Sequence, residues 1–172
     1  PTPAPREGKP PSLLDSMTQT TDLNVLLNQF VIELARVTRA AHTFVLLPHS
    51  DGQLHLTASH GFTTRAAAGR TYAGRVGENF ALRVAGAKSL KWLEEGKPEG
   101  HQNSLGVPLL FQDQVLGIAI AHQTGTAETF SPNQMDAVQE LSQQAAIGIE
   151  LARIAARVKR LEPLDPITGL YT

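Results

Sequence analysis

The feature that most constrains the fold is an uninterrupted helical stretch near the end of the chain. Ser131 is placed as its N-cap, Pro132 suits the first helical position, and Gln134 completes a capping box with Ser131. The helix is predicted to continue until Pro163, which drives Glu162 out of helical geometry. A helix of about 31 residues is roughly 46 Å long. Because one small sheet cannot cover that length, we expect the second half of the helix to project from the domain.

The rest of the pattern predicts an α+β domain. Two β-hairpins are predicted, one from strands 44–47 and 54–58 and one from strands 105–111 and 115–122. Strand 115–122 is apolar on both faces, which predicts a central strand covered on both sides. Before the hairpins, Asp22 precedes an amphipathic helix whose apolar residues recur at steps of three and four: Leu23, Leu26, Leu27, Phe30, Val31, Leu34 and Val37.

Residues 61–103 show no clear period, because glycines interrupt them. We expect a short helix near Phe80–Val84 and another around Trp92. The segment carries seven basic residues against four acidic ones. A long stretch of this kind inside a compact domain usually has a function or contains regular elements that the pattern hides.

Composition excludes several classes of protein. The chain has no cysteine, which excludes disulfides, thiol catalysis, thiolate zinc sites and covalent attachment of a bilin. Its net charge of −1 gives no bulk attraction to nucleic acid or to a membrane surface. The longest apolar run, Val115–Ala121, is far shorter than the roughly 20 residues that span a bilayer. We therefore expect a cytoplasmic location without membrane contact.

Catalytic and metal-binding motifs are not found in the sequence. It contains no phosphate-binding loop, no H-E-x-x-H and no G-x-S-x-G elbow, so we assign no catalytic residue. No two of the six histidines have the spacing of a metal pair on one element, so we predict no metal site and interpret them as polar residues at strand ends. Of these, His60 and His122 are placed where the mouth of a pocket could lie.

The order helix, hairpin, irregular middle, hairpin and long helix resembles a GAF domain over about residues 20–155. The most specific part is SLGVPLLFQDQVLGIAIAHQ, followed by an F-S-P-x-Q turn and a helix rich in Leu, Ala and Ile. In the family pattern, the small residues at Gly106 and Gly117 let strands pack closely under helices. The resemblance implies a central antiparallel sheet with helices on one face, a loop-rich pocket side and a long C-terminal signalling helix. It also implies a sensory module.

In GAF domains the irregular middle segment lines the pocket, and its basic character here suggests a small anionic ligand such as a nucleotide or an organic acid. Arginine supports this interpretation because it donates two parallel hydrogen bonds to phosphate or carboxylate. A solvated loop surface is the alternative. The motif of the GAF domains that bind cyclic nucleotides is not visible, and we identify no cofactor. The candidate ligand-binding residues are Tyr72, Arg75, Phe80, Arg83, Trp92 and His122.

Residues Leu164–Thr172 read LDPITGLYT and resemble the D-x-L-T-G-L-x-N-R opening segment of GGDEF domains, the catalytic module of diguanylate cyclases. Ile167 stands where Leu is usual, and Thr172 where Asn is usual. The resemblance implies a fragment of a bacterial signalling protein that is not itself an enzyme. The longer parent would then be a diguanylate cyclase, which makes cyclic di-GMP from GTP.

The final helix carries a second signal, for dimerisation. Small and apolar residues follow a four-three spacing, which favours a parallel coiled coil between two copies. Because GGDEF domains condense two GTP molecules between two protomers, such a helix could set their distance and rotation. The alternative is packing of the stripe on its own domain. The predicted dimer and signalling residues are Gly148, Leu151, Ala152, Ala155 and Val158.

Together these interpretations divide the chain into a disordered linker (1–11), a GAF sensor domain (12–155), the end of the signalling helix (156–163) and the start of a GGDEF domain (164–172). Two alternatives stay open. The module could serve only for dimerisation, without a ligand. It could also regulate a degenerate GGDEF domain or a cyclic dinucleotide phosphodiesterase.

Overall fold

The computed structural model describes residues 22–64, 78–95, 102–123 and 130–161. The predicted linker and the GGDEF-like segment therefore lie outside the described residues. In the described part, five strands form one antiparallel sheet in the order β2-β1-β5-β4-β3. The elements in chain order are α1 (Leu23–Thr38), β1 (His42–Pro48), β2 (Leu54–His60), α2 (Glu78–Ala87), β3 (Lys91–Glu95), β4 (Gln102–Phe111), β5 (Gln114–His122) and α3 (Pro132–Leu161).

Strand β5 is central and covered on both faces, as the sequence predicted. It pairs with β1 on one side and with β4 on the other. On the face that we call the α2 face, Ile118 and Ile120 pack with residues of α2. On the opposite face, which we call the α1/α3 face, Ala119 and Ala121 join the larger core formed with α1 and α3. Alternation along one strand therefore divides the interior into two cores.

Helix α1 has the predicted N-cap and the predicted apolar stripe. Its N-cap is Asp22, whose Oδ1 accepts a hydrogen bond from the backbone N–H of Asn24 at 2.9 Å. It ends at Arg39, which adopts a left-handed conformation with φ of 53°. The side chains that face the sheet and α3 are buried: Leu26, Leu27, Phe30, Val31, Leu34, Ala35 and Thr38.

Helix α3 begins with the predicted capping box. The backbone N–H of Gln134 donates to Oγ of Ser131 at 3.2 Å, and Oε1 of Gln134 accepts from the N–H of Ser131 at 2.8 Å. The side-chain amide of Gln134 also donates to the carbonyls of Val37 and Thr38 at 3.3 Å. One glutamine therefore connects the start of α3 to the last turn of α1.

The helix runs for 30 residues, and its buried side chains all lie between Val138 and Ile149. From Glu150 to Leu161 every side chain is exposed or only half-buried. The second half of α3 therefore extends past the core, as its length predicted. No helix in the described ranges combines the length and the apolar character needed to cross a lipid bilayer.

The middle of the chain contains one correct and one wrong prediction. The short helix near Phe80 is confirmed as α2, but the residues around Trp92 form strand β3 instead of a helix. Strand β3 pairs with β4, with Trp92 opposite Leu105. The backbone hydrogen bonds of this pairing come from a separate part of the chain. The local sequence around Trp92 could not reveal them.

Glycines allow close packing at two positions on the sheet. A Cβ atom on Gly106 would lie 2.6 Å from Cγ2 of Val84 and 2.9 Å from Cε1 of Phe80, so the absence of a side chain lets α2 rest on β4. A Cβ on Gly117 would lie 2.5 Å from Cδ2 of Leu47 and 2.8 Å from the carbonyl oxygen of Leu46. Close approach to a helix is confirmed at Gly106, whereas Gly117 accommodates the neighbouring strand β1.

Candidate functional site

Polar and aromatic side chains meet on the α2 face, at the end of the sheet where β1 begins and β5 ends. His42 lies directly opposite His122, and His122 lies opposite Ser104 on β4, so the three form one row across three strands. The rings of His42 and His122 are nearly parallel, with centroids 6.2 Å apart. On its other side, His42 stacks on Phe62 at 4.3 Å, and Phe62 also contacts Phe44 at 5.3 Å. We call His42, Phe62, Ser104 and His122 the histidine row.

His122 has a hydrogen-bonding partner within this row. Its side chain is buried, and its Nδ1 lies 2.9 Å from Oγ of Ser104, which is also buried. A hydroxyl can donate or accept, so Ser104 can satisfy either neutral tautomer of the imidazole. Both groups therefore occupy an interior position and hydrogen-bond to each other. This chemistry suits the recognition of a polar or planar group.

Helix α2 covers the adjoining part of the same face. Phe80, Ala81 and Val84 are buried against Ile118, Ile120 and their neighbours. Arg83 lies on the exposed side of α2, where its guanidinium carbon is 5.8 Å from the centroid of the Phe80 ring. This is within the range of a cation–π contact. The charged group is therefore near the surface, above an aromatic ring that itself belongs to the core.

The structure describes three of the six predicted ligand-binding residues completely. Phe80, Arg83 and His122 all belong to the α2 face or to the helix that covers it. Trp92 has a described backbone in β3, but its side chain lies outside the described residues. Tyr72 and Arg75 also lie outside the described residues. The assignment of these six residues to a ligand stays a prediction.

Three members of the histidine row, His42, Phe62 and Ser104, are not among the residues predicted from the sequence. The signal that could have found them is strand register, since His42 begins β1 where its antiparallel neighbour β5 ends at His122. His60, which was expected near a pocket mouth, is exposed and pairs with Thr43. The hydroxyl of Thr43 donates to the carbonyl of Val31 in α1, so this pair belongs to the opposite face.

One of the basic residues of the middle segment, Lys88, forms an ion pair with an acidic residue of the same domain. Nζ of Lys88, just after α2, lies 2.9 Å from Oδ2 of Asp113 in the β4–β5 turn. This ion pair is exposed, so it contributes little stability, but it occupies one of the seven basic groups. Arg83 is therefore better placed than Lys88 to contact a ligand on the α2 face.

Two grooves lie elsewhere in the described part of the domain. One of about 390 Å³ lies between the start of α1 and strand β2, and Phe62 forms part of its wall. Another of about 260 Å³ lies between β4 and α3. Neither is lined by Phe80, Arg83 or His122.

A second candidate feature is a row of exposed apolar side chains on α3. They follow one another at steps of four, three, four and three residues, which is the spacing of a coiled-coil seam. Their exposed fractions run from 44% at Ile147 to 82% at Leu161. We call this set the exposed stripe; its members are Ile147, Leu151, Ile154, Val158 and Leu161.

The exposed stripe shares Leu151 and Val158 with the predicted dimer residues. Gly148 is instead buried, and a Cβ there would lie 2.5 Å from Cδ2 of Leu26, so this glycine allows α1 and α3 to pack together. Ala152 and Ala155 are half-buried beside the stripe. The part that any of these residues plays in dimerisation is still a prediction.

Comparison with known proteins gives a consistent result. The family model of the GAF domain matches residues 22–149. No curated protein sequence matches the chain. Among solved structures, the chain is similar to the GAF-B domain of DevS from Mycobacterium smegmatis, with 21% identity and a TM-score of 0.65 over 80% of this chain and 99% of that one.

Two further structures have the same fold. One is the GAF domain of an Acinetobacter phosphoenolpyruvate-protein phosphotransferase, with 18% identity and a TM-score of 0.63 over 89% of this chain and 93% of that chain. The other is a GAF domain/HD domain protein from Geobacter sulfurreducens, with 14% identity and a TM-score of 0.61 over 82% of this chain and 98% of that chain. At these identities the likeness establishes the fold and nothing finer.

Proposed function

The chain belongs to the GAF domain family, and from this premise we propose that it is the sensor domain of a bacterial GGDEF protein, in which it controls cyclic di-GMP synthesis through a dimer formed by α3. GAF domains are regulatory modules of signalling proteins and are not themselves catalytic. Beyond the family assignment, the proposal names a second copy of the chain as the partner, a GGDEF domain as the output and α3 as the connection between sensor and output. The observation that carries it is the exposed stripe on the projecting half of α3.

The exposed stripe supports a second copy of the same chain as its partner. Complete burial of a large aliphatic side chain stabilises by about 1.5–3 kcal/mol, so covering five half-exposed ones on each of two helices would contribute on the order of 10 kcal/mol. Association costs about 4–15 kcal/mol in lost freedom of motion. At the low end of this cost about 6 kcal/mol remains, so we expect a reversible dimer with a dissociation constant on the order of tens of micromolar.

The proposed output domain rests on the sequence after α3. Residues 164–172 resemble the opening of a GGDEF domain, and they follow α3 closely in the sequence. Two GGDEF domains must face each other to condense two GTP molecules. A change in the crossing angle or rotation of paired α3 helices would alter how the two GGDEF domains face each other. Two alternative packings of the helices are therefore sufficient to control the rate of cyclic di-GMP synthesis.

For the input, we propose a small anionic ligand at the histidine row and Arg83. The support is a buried imidazole–hydroxyl pair beside stacked rings, with a guanidinium on the helix above. A GAF module that only dimerises, without a ligand, is the second candidate. It is favoured by Phe80 and Val84, which fill the space above Gly106. A degenerate GGDEF domain or a cyclic dinucleotide phosphodiesterase as output is a further alternative.

Sedimentation of the purified chain tests the dimer. We expect the wild type to pass from monomer to dimer over micromolar concentrations and Leu151→Gln with Ile154→Gln to stay monomeric. The matched control is Leu82→Gln, because Leu82 is 59% exposed but lies on α2. A monomeric wild type at all concentrations, or an unchanged dimer in the double variant, would contradict the proposal.

Two measurements separate the possible outputs. The reading frame beyond Thr172 should continue into a GGDEF domain, and the full-length protein should convert GTP to cyclic di-GMP. The double variant in α3 should reduce this rate while Leu82→Gln leaves it unchanged. A reading frame that continues into an unrelated domain would refute the proposed output and leave the dimer result valid.

Thermal denaturation in the presence of nucleotides and organic acids tests the ligand. An anionic ligand at the α2 face should raise the melting temperature of the wild type and have a smaller effect on Arg83→Gln. If no anionic ligand stabilises the protein, the candidate without a ligand is preferred.

A further inference from the structure

A separate cluster of potential ligand atoms lies at the β1–β2 hairpin, at the opposite end of β1 from His42. His49 follows β1, Asp51 lies in the turn, and His55 is the second residue of β2. One nitrogen from each imidazole and one oxygen from the carboxylate all lie within 4.8 Å of one another. Histidine spacing within single elements does not reveal this juxtaposition, because the three residues come together across a turn.

Strand pairing explains why the two imidazoles meet. His55 pairs with Leu47, and His49 is two residues further along, so both side chains stand on the same side of the hairpin. Their ring centroids are 4.6 Å apart. Between them, Oδ2 of Asp51 lies 2.7 Å from Nε2 of His55, and Oδ1 lies 3.9 Å from Nδ1 of His49.

The turn that holds the cluster has its own hydrogen bonds. The N–H of His49 donates to the carbonyl of Gln53 at 2.8 Å, and the N–H of Gly52 donates to the carbonyl of His49 at 3.0 Å. Gly52 has a φ of 78°, a conformation that glycine adopts without strain. Oδ1 of Asp51 accepts from the N–H of Gln53 at 2.8 Å. The backbone therefore fixes the positions from which the three side chains extend.

We propose that His49, Asp51 and His55 bind one divalent transition-metal ion of the zinc class. Two imidazole nitrogens and one carboxylate oxygen are donors that Zn²⁺, Ni²⁺ and Cu²⁺ accept, whereas Mg²⁺ and Ca²⁺ prefer oxygen alone. Bonds of about 2.0–2.2 Å would put the ligand atoms roughly 3.3 Å apart around a tetrahedral ion. The present separations bracket that value, so small side-chain rotations produce the required geometry.

The three side chains of the cluster are accessible to an ion from solvent. The exposed fractions of the His49, Asp51 and His55 side chains are 61%, 46% and 47%, so an ion reaches them directly from solvent. Three protein ligands leave a fourth position for water or for a group on another molecule.

Calorimetric titration of the untagged chain with zinc chloride tests the site, with the melting temperature as a second readout. We expect one Zn²⁺ per chain, with micromolar affinity and a higher melting temperature. His49→Gln and His55→Gln should each weaken binding by more than about tenfold, since even a partner of a metal ligand contributes about that much. The control is His60→Gln, because His60 is exposed on β2 but lies at the other end of the strand.

Three results would overturn the proposal: no saturable binding by the wild type, unchanged affinity in either hairpin variant, or an equal loss in the His60→Gln control. Circular dichroism of each variant without metal distinguishes a lost ligand from a lost fold. This inference is independent of the dimer and of the GGDEF output, because the hairpin contains none of the residues on which they depend.

Discussion

The hydroxyl oxygen of Ser104 lies 2.9 Å from Nδ1 of His122, and both residues are buried on neighbouring strands. Ser104→Ala removes one partner of an interior imidazole, so we expect the free energy of unfolding to fall by about 1–3 kcal/mol. Urea denaturation measures this change. Ser89→Ala, at an exposed position, should stay within about 0.5 kcal/mol of the wild type. Equal effects of the two substitutions would show that the pair contributes no stability.

Gly106 is predicted to tolerate no side chain. In Gly106→Ala the new Cβ would meet Val84 and Phe80, and overpacking of this kind costs about 1–3 kcal/mol. Adding Val84→Ala should recover part of the loss, because the two substitutions act on the same space. In Gly86→Ala the Cβ meets nothing within 4 Å, so the result should lie between no change and about 1 kcal/mol of stabilisation. Strictly additive effects of the Gly106 and Val84 substitutions would contradict this prediction.

The capping box is expected to stabilise the start of α3. Ser131→Ala should lower the free energy of unfolding by about 1 kcal/mol, because the N–H of Gln134 loses its acceptor. Gln134→Ala should cost more, since this side chain also contacts the carbonyls of Val37 and Thr38. Thermal denaturation measures both. Gln143→Ala, at an exposed position on the same helix, is the control, and a cost as large as that of Ser131→Ala would count against the assigned role of the cap.

Gly148 is expected to matter for the packing of α1 on α3. Gly148→Val would bring its Cβ into contact with Leu26 and should cost about 1–3 kcal/mol in the free energy of unfolding. Leu26→Ala in the same chain should reduce that extra cost. The control is Ala156→Val, which lies exposed on α3. If Gly148→Val altered only the dimer and not the stability of the monomer, the assignment of Gly148 to the α1 contact would be wrong.

Much of the fold could be predicted because its signals are local. The N-cap at Asp22, the capping box at Ser131 and the alternation along each hairpin depend on neighbours within a few residues. Strand β3 could not be predicted in this way. Lys91–Glu95 shows no alternation of its own, and its pairing partners, from Gln102 to Gly106, belong to a different strand.

The sites were harder to predict for a related reason. His122 could be found as a polar residue at a strand end, but His42 joins it only through the register of β1 with β5. The hairpin cluster likewise depends on pairing across a turn. On α3, two series of residues have the four-three spacing, namely the predicted one that begins at Gly148 and the exposed stripe that begins at Ile147. Because Gly148 packs against Leu26, the exposed stripe is the series that faces solvent.

Strand β5 contributes side chains to both cores of the domain. Ile120 points to the side of the histidine row, while Ala119 and Ala121 touch the core beneath α1 and α3. An alanine has no rotamer to change, so it cannot absorb a movement of the strand by rearranging itself. We therefore expect a shift of β5 caused on the α2 face to move the residues that pack beneath α1 and α3 as well.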